Sequence, residues 1–210
     1  MPLVQTSAPG SEPVTLADAK NYLRVDADLT ADDTLITLLI SAARRYAEAY
    51  TGRSLISQGW KLLLDSFPSP TGMGVPWGRP WSVPPQAVLL ERGPVISVDS
   101  ITYTAMDGST QTMPSTDYAV DLASPMPRVT PVFGKIWPVT LPQIGAVAVN
   151  FTAGYGTTAA SVPEGIRQWM FMRISTLYRN REEVAVLNRG KVEALPFVDS
   201  LLDPYRVPVL

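Results

Sequence analysis

Twenty prolines in 210 residues are about twice the usual share, and thirteen of them fall between positions 68 and 142. Proline fixes φ and removes a backbone donor, so a long helix excludes it, whereas a loop-rich β region accepts it at strand ends. Residues 14–67 and 164–195 contain none. This distribution alone predicts helices toward both ends of the chain and β structure between them.

Hydrophobic periodicity follows the same division. Thr15-Leu-Ala-Asp18 reads as a capping-box variant opening a short helix through Arg24, with Leu16, Ala19 and Leu23 on one face. Thr30-Ala-Asp-Asp33 opens a longer helix that Gly52 ends. Along it Leu35, Leu39, Ala42, Tyr46 and Ala49 form one apolar row, and Ile36, Ile40, Ala43, Ala47 and Tyr50 form a second. Two rows exceed what a one-sided surface helix needs. Ser161-Val-Pro-Glu164 is a capping box for a third helix through Arg179, carrying Ile166, Trp169, Met170, Ile174, Leu177 and Tyr178. A last short helix is expected over 197–202, stopped by Asp203-Pro204.

In the middle the period changes to two. Trp60, Leu62 and Leu64 alternate with Lys61 and Asp65; Tyr118, Val120 and Leu122 with Asp117 and Asp121; Val147, Val149 and Phe151 with alanines and Asn150. These read as half-buried strands. The apolar phase shifts near Asp99-Ser100, which predicts a bulge, and Asp107-Gly108 supplies the turn into a strand near Thr110. The expected fold class is α+β. A small helical bundle formed by both chain ends (14–57 and 156–210) is interrupted by an inserted antiparallel β domain (58–155) with a Pro/Gly/Trp-rich loop at 67–85.

The missing residue types exclude much chemistry. The chain has no His and no Cys, which removes imidazole bases, thiol nucleophiles, disulfides and the common zinc ligands. A formal charge of −2 argues against a surface that grips nucleic acid by neutralising phosphates. The N-terminal segment lacks the basic and apolar parts of a secretory signal, and the uncharged stretch 136–163 is too rich in Pro and Gly to span a membrane.

Candidate sites are few. The acidic run Asp26, Asp28, Asp32, Asp33 fails as an EF-hand, because Ala31 stands where glycine belongs and Thr37 where the bidentate glutamate belongs; carboxylates at a helix start explain it instead. Gly72, Gly74 and Gly78 lack the spacing of a phosphate loop. Glu182 and Glu183 are adjacent, diverge by about 100° on a helix and do not face one substrate. No cofactor and no metal site is expected. Loop 67–85 carries Trp77 and Trp81, free either to meet a partner or to fold back on the sheet. The apolar C-terminal stretch 194–210 either packs on its own helical domain or docks on another chain.

The segments TLADAKNYLRVDADLTADDTLITLLISAARRYAEAYTGRSLI, GPVISVDSITY, VNFTAGYG, VPEGIRQWMFMRISTLYRNREE and LPFVDSLLDPYRV, in that order, resemble the head-tail connector (adaptor) proteins of tailed bacteriophages, prophages and gene transfer agents, in the long form with a β insertion. The likeness spans about 14–207. It implies a structural virion protein and not an enzyme: a ring, a dodecamer in that family, docked on the portal protein and extending the DNA channel toward the tail. It places the protein in the virion neck, after assembly in the host cytoplasm. Its partners would be other copies of itself, the portal, the next neck or tail component (stopper or tail terminator) and DNA passing unbound through the lumen, with no membrane. Under that reading Ile36, Ile40, Ala43, Ala47, Tyr50, Trp169 and Met172 are subunit-contact candidates. Phe197, Leu201, Leu202, Tyr205 and Arg206 are portal-docking candidates, and Trp77 and Trp81 peripheral or tail-side contacts. The rival reading is a β-domain binding module for carbohydrate or a host surface, anchored by the helices; a carboxylate-dependent hydrolase stands behind both.

Overall fold

A computed structural model describes residues 2–69, 84, 86–124, 126–180 and 199–207. The fold is α+β and divides into two compact units. A helical unit comprises Gly10–Ile56 and Gly156–Arg206; a β unit comprises Met1–Pro9, Ser57–Tyr155 and Val207–Leu210.

The helical unit is built on α1 (Leu16–Leu23), α2 (Asp33–Thr51) and α3 (Glu164–Arg179), with α2 packed against both others. Thr15 caps α1 as expected, its hydroxyl accepting from the Asp18 amide at 3.1 Å. Gly52 ends α2 at φ 71°, a conformation that costs a side-chain-bearing residue about 1–2 kcal/mol. Two helix starts differ from expectation. Asp32, not Thr30, is the N-cap of α2, because residues 29–33 turn around the Lys20 ammonium instead. The Ser161 capping box does not form: Ser161 lies in a 3-10 turn (Ala159–Ser161) and pairs with the Thr158 hydroxyl at 3.2 Å, and α3 starts after Pro163 without a side-chain cap.

Two polar clusters hold this unit's loops. Lys20, 5% exposed, places Nζ 3.0 Å from the Ala27 carbonyl, 2.8 Å from that of Leu29 and 2.9 Å from Asp33 Oδ1. Arg44 donates from Nε to Glu12 (2.7 Å) and from Nη1 to Glu48 (3.0 Å), while the other Glu48 oxygen accepts from the Leu55 amide. Burial by itself would lower the Arg44 pKa, but the hydrogen bond to Glu12 and the two carboxylate charges outweigh it and raise it. The guanidinium thus ties residues 12 and 55 to the middle of α2.

The β unit contains a five-stranded antiparallel sheet, order β1-β2-β8-β4-β5, formed by Leu3–Ser7, Gln58–Leu64, Val147–Ala153, Val95–Thr104 and Thr110–Thr112. A three-stranded sheet has the order β3-β7-β6, formed by Val88–Leu89, Arg128–Pro131 and Tyr118–Asp121. Both sheets feed one core. Leu62, Val149, Phe151 and Ile101 from the first meet Val88 and Val129 from the second, all at most 2% exposed. Each such side chain contributes about 1.5–3 kcal/mol by leaving water. The expected bulge is present, since β4 slips against β8 between Val98 and Ser100 and again between Val95 and Ser97.

Candidate functional site

With no catalytic constellation among the described residues, the surfaces through which the chain can assemble form the candidate site. On α2 the two apolar rows part company. Ile36, Ile40, Ala43 and Ala47 are at most 2% exposed and lie in the core of the helical unit, as does Trp169. This corrects the expectation that they face a neighbouring subunit. The row that turns outward includes Ala42, Tyr46 and Ala49, with Leu38 66% exposed beside them. Tyr50 and Met172 are half-buried. Composition does not distinguish the rows, because both are apolar at helical spacing; only the packing of α3 against α2 does.

An aromatic ladder runs over this part of the unit. Trp169 stacks on Tyr46 (5.4 Å, 15°) and Tyr46 on Tyr50 (6.3 Å, 11°). The Arg173 guanidinium sits 5.3 Å over Tyr46, and that of Arg206 sits 5.4 Å over Tyr50. The ladder receives residues 199–206. Trp169 Nε1 donates to Asp199 (2.9 Å), the Tyr50 hydroxyl to Asp203 (2.8 Å) and Arg53 Nε to the Tyr205 carbonyl. Leu202 is fully buried, and Gly165 leaves room for Tyr205, whose hydroxyl would stand 3.1 Å from a Cβ at that position. The hydrogen bond to Asp203 is the main reason the Tyr50 pKa is raised above its ordinary 10.0.

Of the two readings of the C-terminal stretch, residues 199–206 therefore follow the first and pack on their own unit. They do so as two 3-10 turns, Asp199–Leu201 and Asp203–Tyr205, so Asp203-Pro204 opens a turn where a stop was expected. Leu202 is correspondingly interior and not a free docking anchor. Leu201 and Tyr205 remain half-buried and Arg206 is exposed. Phe197, Trp77, Trp81, the glycines of loop 67–85 and the Glu182-Glu183 pair lie outside the described residues.

In the β unit the sequence reading missed Trp137. Its ring stacks on Phe67 at 4.6 Å and 5°, and its indole N–H donates to the Gln86 carbonyl at 2.6 Å. One side chain thus holds both feet of the long loop. A lone Trp between prolines carries no period, so long-range pairing of this kind leaves no trace in the sequence. At the end of the large sheet where β2 and β4 finish and β8 begins, Met106, Val139 and Ile144 are 59%, 74% and 93% exposed. Ile136 and Phe133, from the same connecting segment after β7, are 77% and 107% exposed.

Two carboxylates of the acidic run are engaged by side chains of the same unit. Lys20 supplies the charge that Asp33 meets, and Asp32 accepts from the Tyr178 hydroxyl at 2.5 Å.

Residues 13–120 match the family described as "Phage gp6-like head-tail connector protein". Among solved structures, a chain in the "Neck of empty GTA particle computed with C6 symmetry" is 25% identical, with TM-score 0.74 over 100% of this chain and 97% of that one. A chain in the "Virion of native gene transfer agent (GTA) particle" is 24% identical, with TM-score 0.75 over the same shares. One in the "Neck of native GTA particle computed with C12 symmetry" is 22% identical, with TM-score 0.65, again over 100% and 97%. No curated protein matches the sequence.

Proposed function

From the premise that this chain belongs to the phage gp6-like head-tail connector family, as the match over residues 13–120 establishes, and so is a structural neck protein of a virion and not an enzyme, we propose that it forms a closed ring that docks on the portal and carries the DNA channel toward the tail. Full-length likeness to a neck protein carries this reading. The C6 and C12 symmetries of the similar necks support a ring of repeated copies, with twelve the number we propose. In a cyclic ring each copy presents two different faces to its two neighbours. The outward row of α2, with Leu38, Ala42 and Ala49, is one such face; the interior row beneath it keeps the helix rigid.

Residues 199–206 supply the portal contact in this scheme. Tyr205 and Arg206 are of the types that dominate interface energies, and Phe197 extends the same stretch. A net charge of −2 leaves little surface able to hold DNA phosphates, which suits a conduit. Assembly would take place in the host cytoplasm, and loop 67–85 with Trp77 and Trp81 would face the next neck component.

Electron microscopy and mass photometry of the full-length protein, alone and with portal-bearing heads, test this. Rings, or rings recruited to the portal vertex, are the expected result. A chain that stays monomeric and ignores portal-bearing heads would falsify the proposal. Arg206→Ala should weaken recruitment to heads while leaving rings intact.

A further inference from the structure

We propose that the turn-built tip of the β unit, carrying Met106, Phe133, Ile136, Val139 and Ile144, is the docking surface for a neck protein of a different kind on the tail side, one that presents an apolar, weakly charged face. The inference rests on the connector reading above and assigns that reading its second partner surface.

The tip is pinned by its backbone. Ala105 pairs with Thr140, which places Met106 and Val139 side by side. The Leu141 amide donates to the Thr104 carbonyl (3.0 Å), Gln143 Nε2 to the Thr104 hydroxyl (3.0 Å) and the Gly145 amide to Asp65 (2.8 Å). Gly134 and Gly145, at φ 82° and 67°, turn the chain in left-handed conformations, which orients Phe133 and Ile144 at the tight bends. The side chains are thus exposed on a fixed scaffold, an arrangement that lowers the entropy lost on binding.

Size and charge select the occupant. Five side chains this open present together on the order of 700 Å² of apolar surface, near the ~800 Å² each partner gives a standard interface. The charged side chains at the tip are few and already engaged: Lys135 with Asp117 at 3.3 Å, Asp65 with the Gly145 amide and Asp107 with Ser109. A highly charged partner would therefore find little to pair with. A second copy is disfavoured because heterologous contact needs a matching apolar surface on the same chain, and the α2 face with Leu38 is taken by the ring contact in our reading. The other exposed large apolar residues described in this unit, Val4, Ile96, Val120 and Leu122, are only 37–47% exposed and are spread over different strands and a strand end. A connector must hold two different bodies, and the helical unit's C-terminal stretch is taken by the portal in our reading, which leaves the tip for the tail side.

The test is head-tail joining in vitro with heads that lack this protein, purified tails, and either wild-type chain or Phe133→Asp/Ile144→Asp. Both positions are solvent-exposed, so the variant should keep the wild-type unfolding midpoint; Ile144→Ser serves if it does not. We expect normal rings, normal attachment to heads, and joining reduced about tenfold or more, the effect of losing an interface anchor. Wild-type joining should also change little between about 0.1 and 0.5 M NaCl, since the contact is not ionic. Joining at the wild-type level by both variants would overturn the proposal. Loss of rings would do so too, by assigning the tip to a second copy, as would loss of attachment to heads. If wild-type chain itself restores no joining, the connector reading fails and the tip falls with it; if wild type and variants all restore it, only the tip assignment falls.

Discussion

The two units treat their apolar side chains in opposite ways. In the helical unit most large ones, Leu29 and Leu38 apart, are drawn inward or stacked in ranks, with Trp169, Tyr46 and Tyr50 bridged by arginines and aspartates, and buried charges such as Arg44 and Lys20 hold the loops. In the β unit a comparable core lies beneath turns that display Phe133 and Ile144 almost wholly to solvent. A helix has a continuous outer face and can meet a neighbour along its length. A sheet whose faces are engaged in a core has its turns left to offer, so its contacts concentrate at one end.

The largest effect that could break this contrast comes from two adjacent alanines on α2. Ala43→Asp puts a carboxylate at a position 1% exposed and should cost about 4 kcal/mol or more in chemical denaturation. Ala42→Asp, one residue away on the exposed side, should change stability by no more than about 0.5 kcal/mol yet stop ring formation in mass photometry. Equal destabilisation by both would mean that α2 has no free face. The β unit offers a second pair. Trp137→Ala should cost about 3 kcal/mol in thermal or urea unfolding, because it removes a stacked, hydrogen-bonded core ring. Phe133→Ser should leave unfolding within about 0.5 kcal/mol of wild type. A large loss from Phe133→Ser would show that the tip is part of the unit's own packing.

The smallest effect sharpens the account of the aromatic ladder. The folded-state pKa of Tyr50 lies above the ordinary 10.0, raised chiefly by the hydrogen bond to Asp203. Its contribution is therefore fully present below the ordinary tyrosine pKa and is lost as pH rises through the raised folded value. In an alkaline titration followed by tyrosinate absorbance, one tyrosine should ionise late, and Asp203→Ala should return it toward the free-phenol range. An unchanged titration would detach residues 199–206 from the ladder.

Much of the secondary structure was legible because it depends on period and punctuation. The Thr15 cap, the end of α2 at Gly52, the strands around Leu62, Val120 and Val149 and the phase slip at Asp99 are local signals, and each is found in the structure. The connector family was legible from the order of whole segments. What escaped was set by distant partners. β1 has only five residues and takes its strand character from pairing with β2. β3 and β7 are two and four residues long, too short to show a period. The choice between the Ile36 row and the Leu35 row needed α3, and Leu202 looked like a free anchor because nothing near it in sequence reveals the pocket it fills.

Trp137 also bears on how such a chain can change over time. Phe67, after β2, and Gln86, before β3, meet at a single indole, so whatever is strung between them leaves one sheet and enters the other at one fixed mount. Closing a segment whose ends are already held together depends only weakly on its length, with each doubling costing about 0.6 kcal/mol. Lineages could therefore lengthen, shorten or exchange the intervening residues to suit a new tail without re-registering a strand, and an engineer could graft a foreign peptide at the same mount.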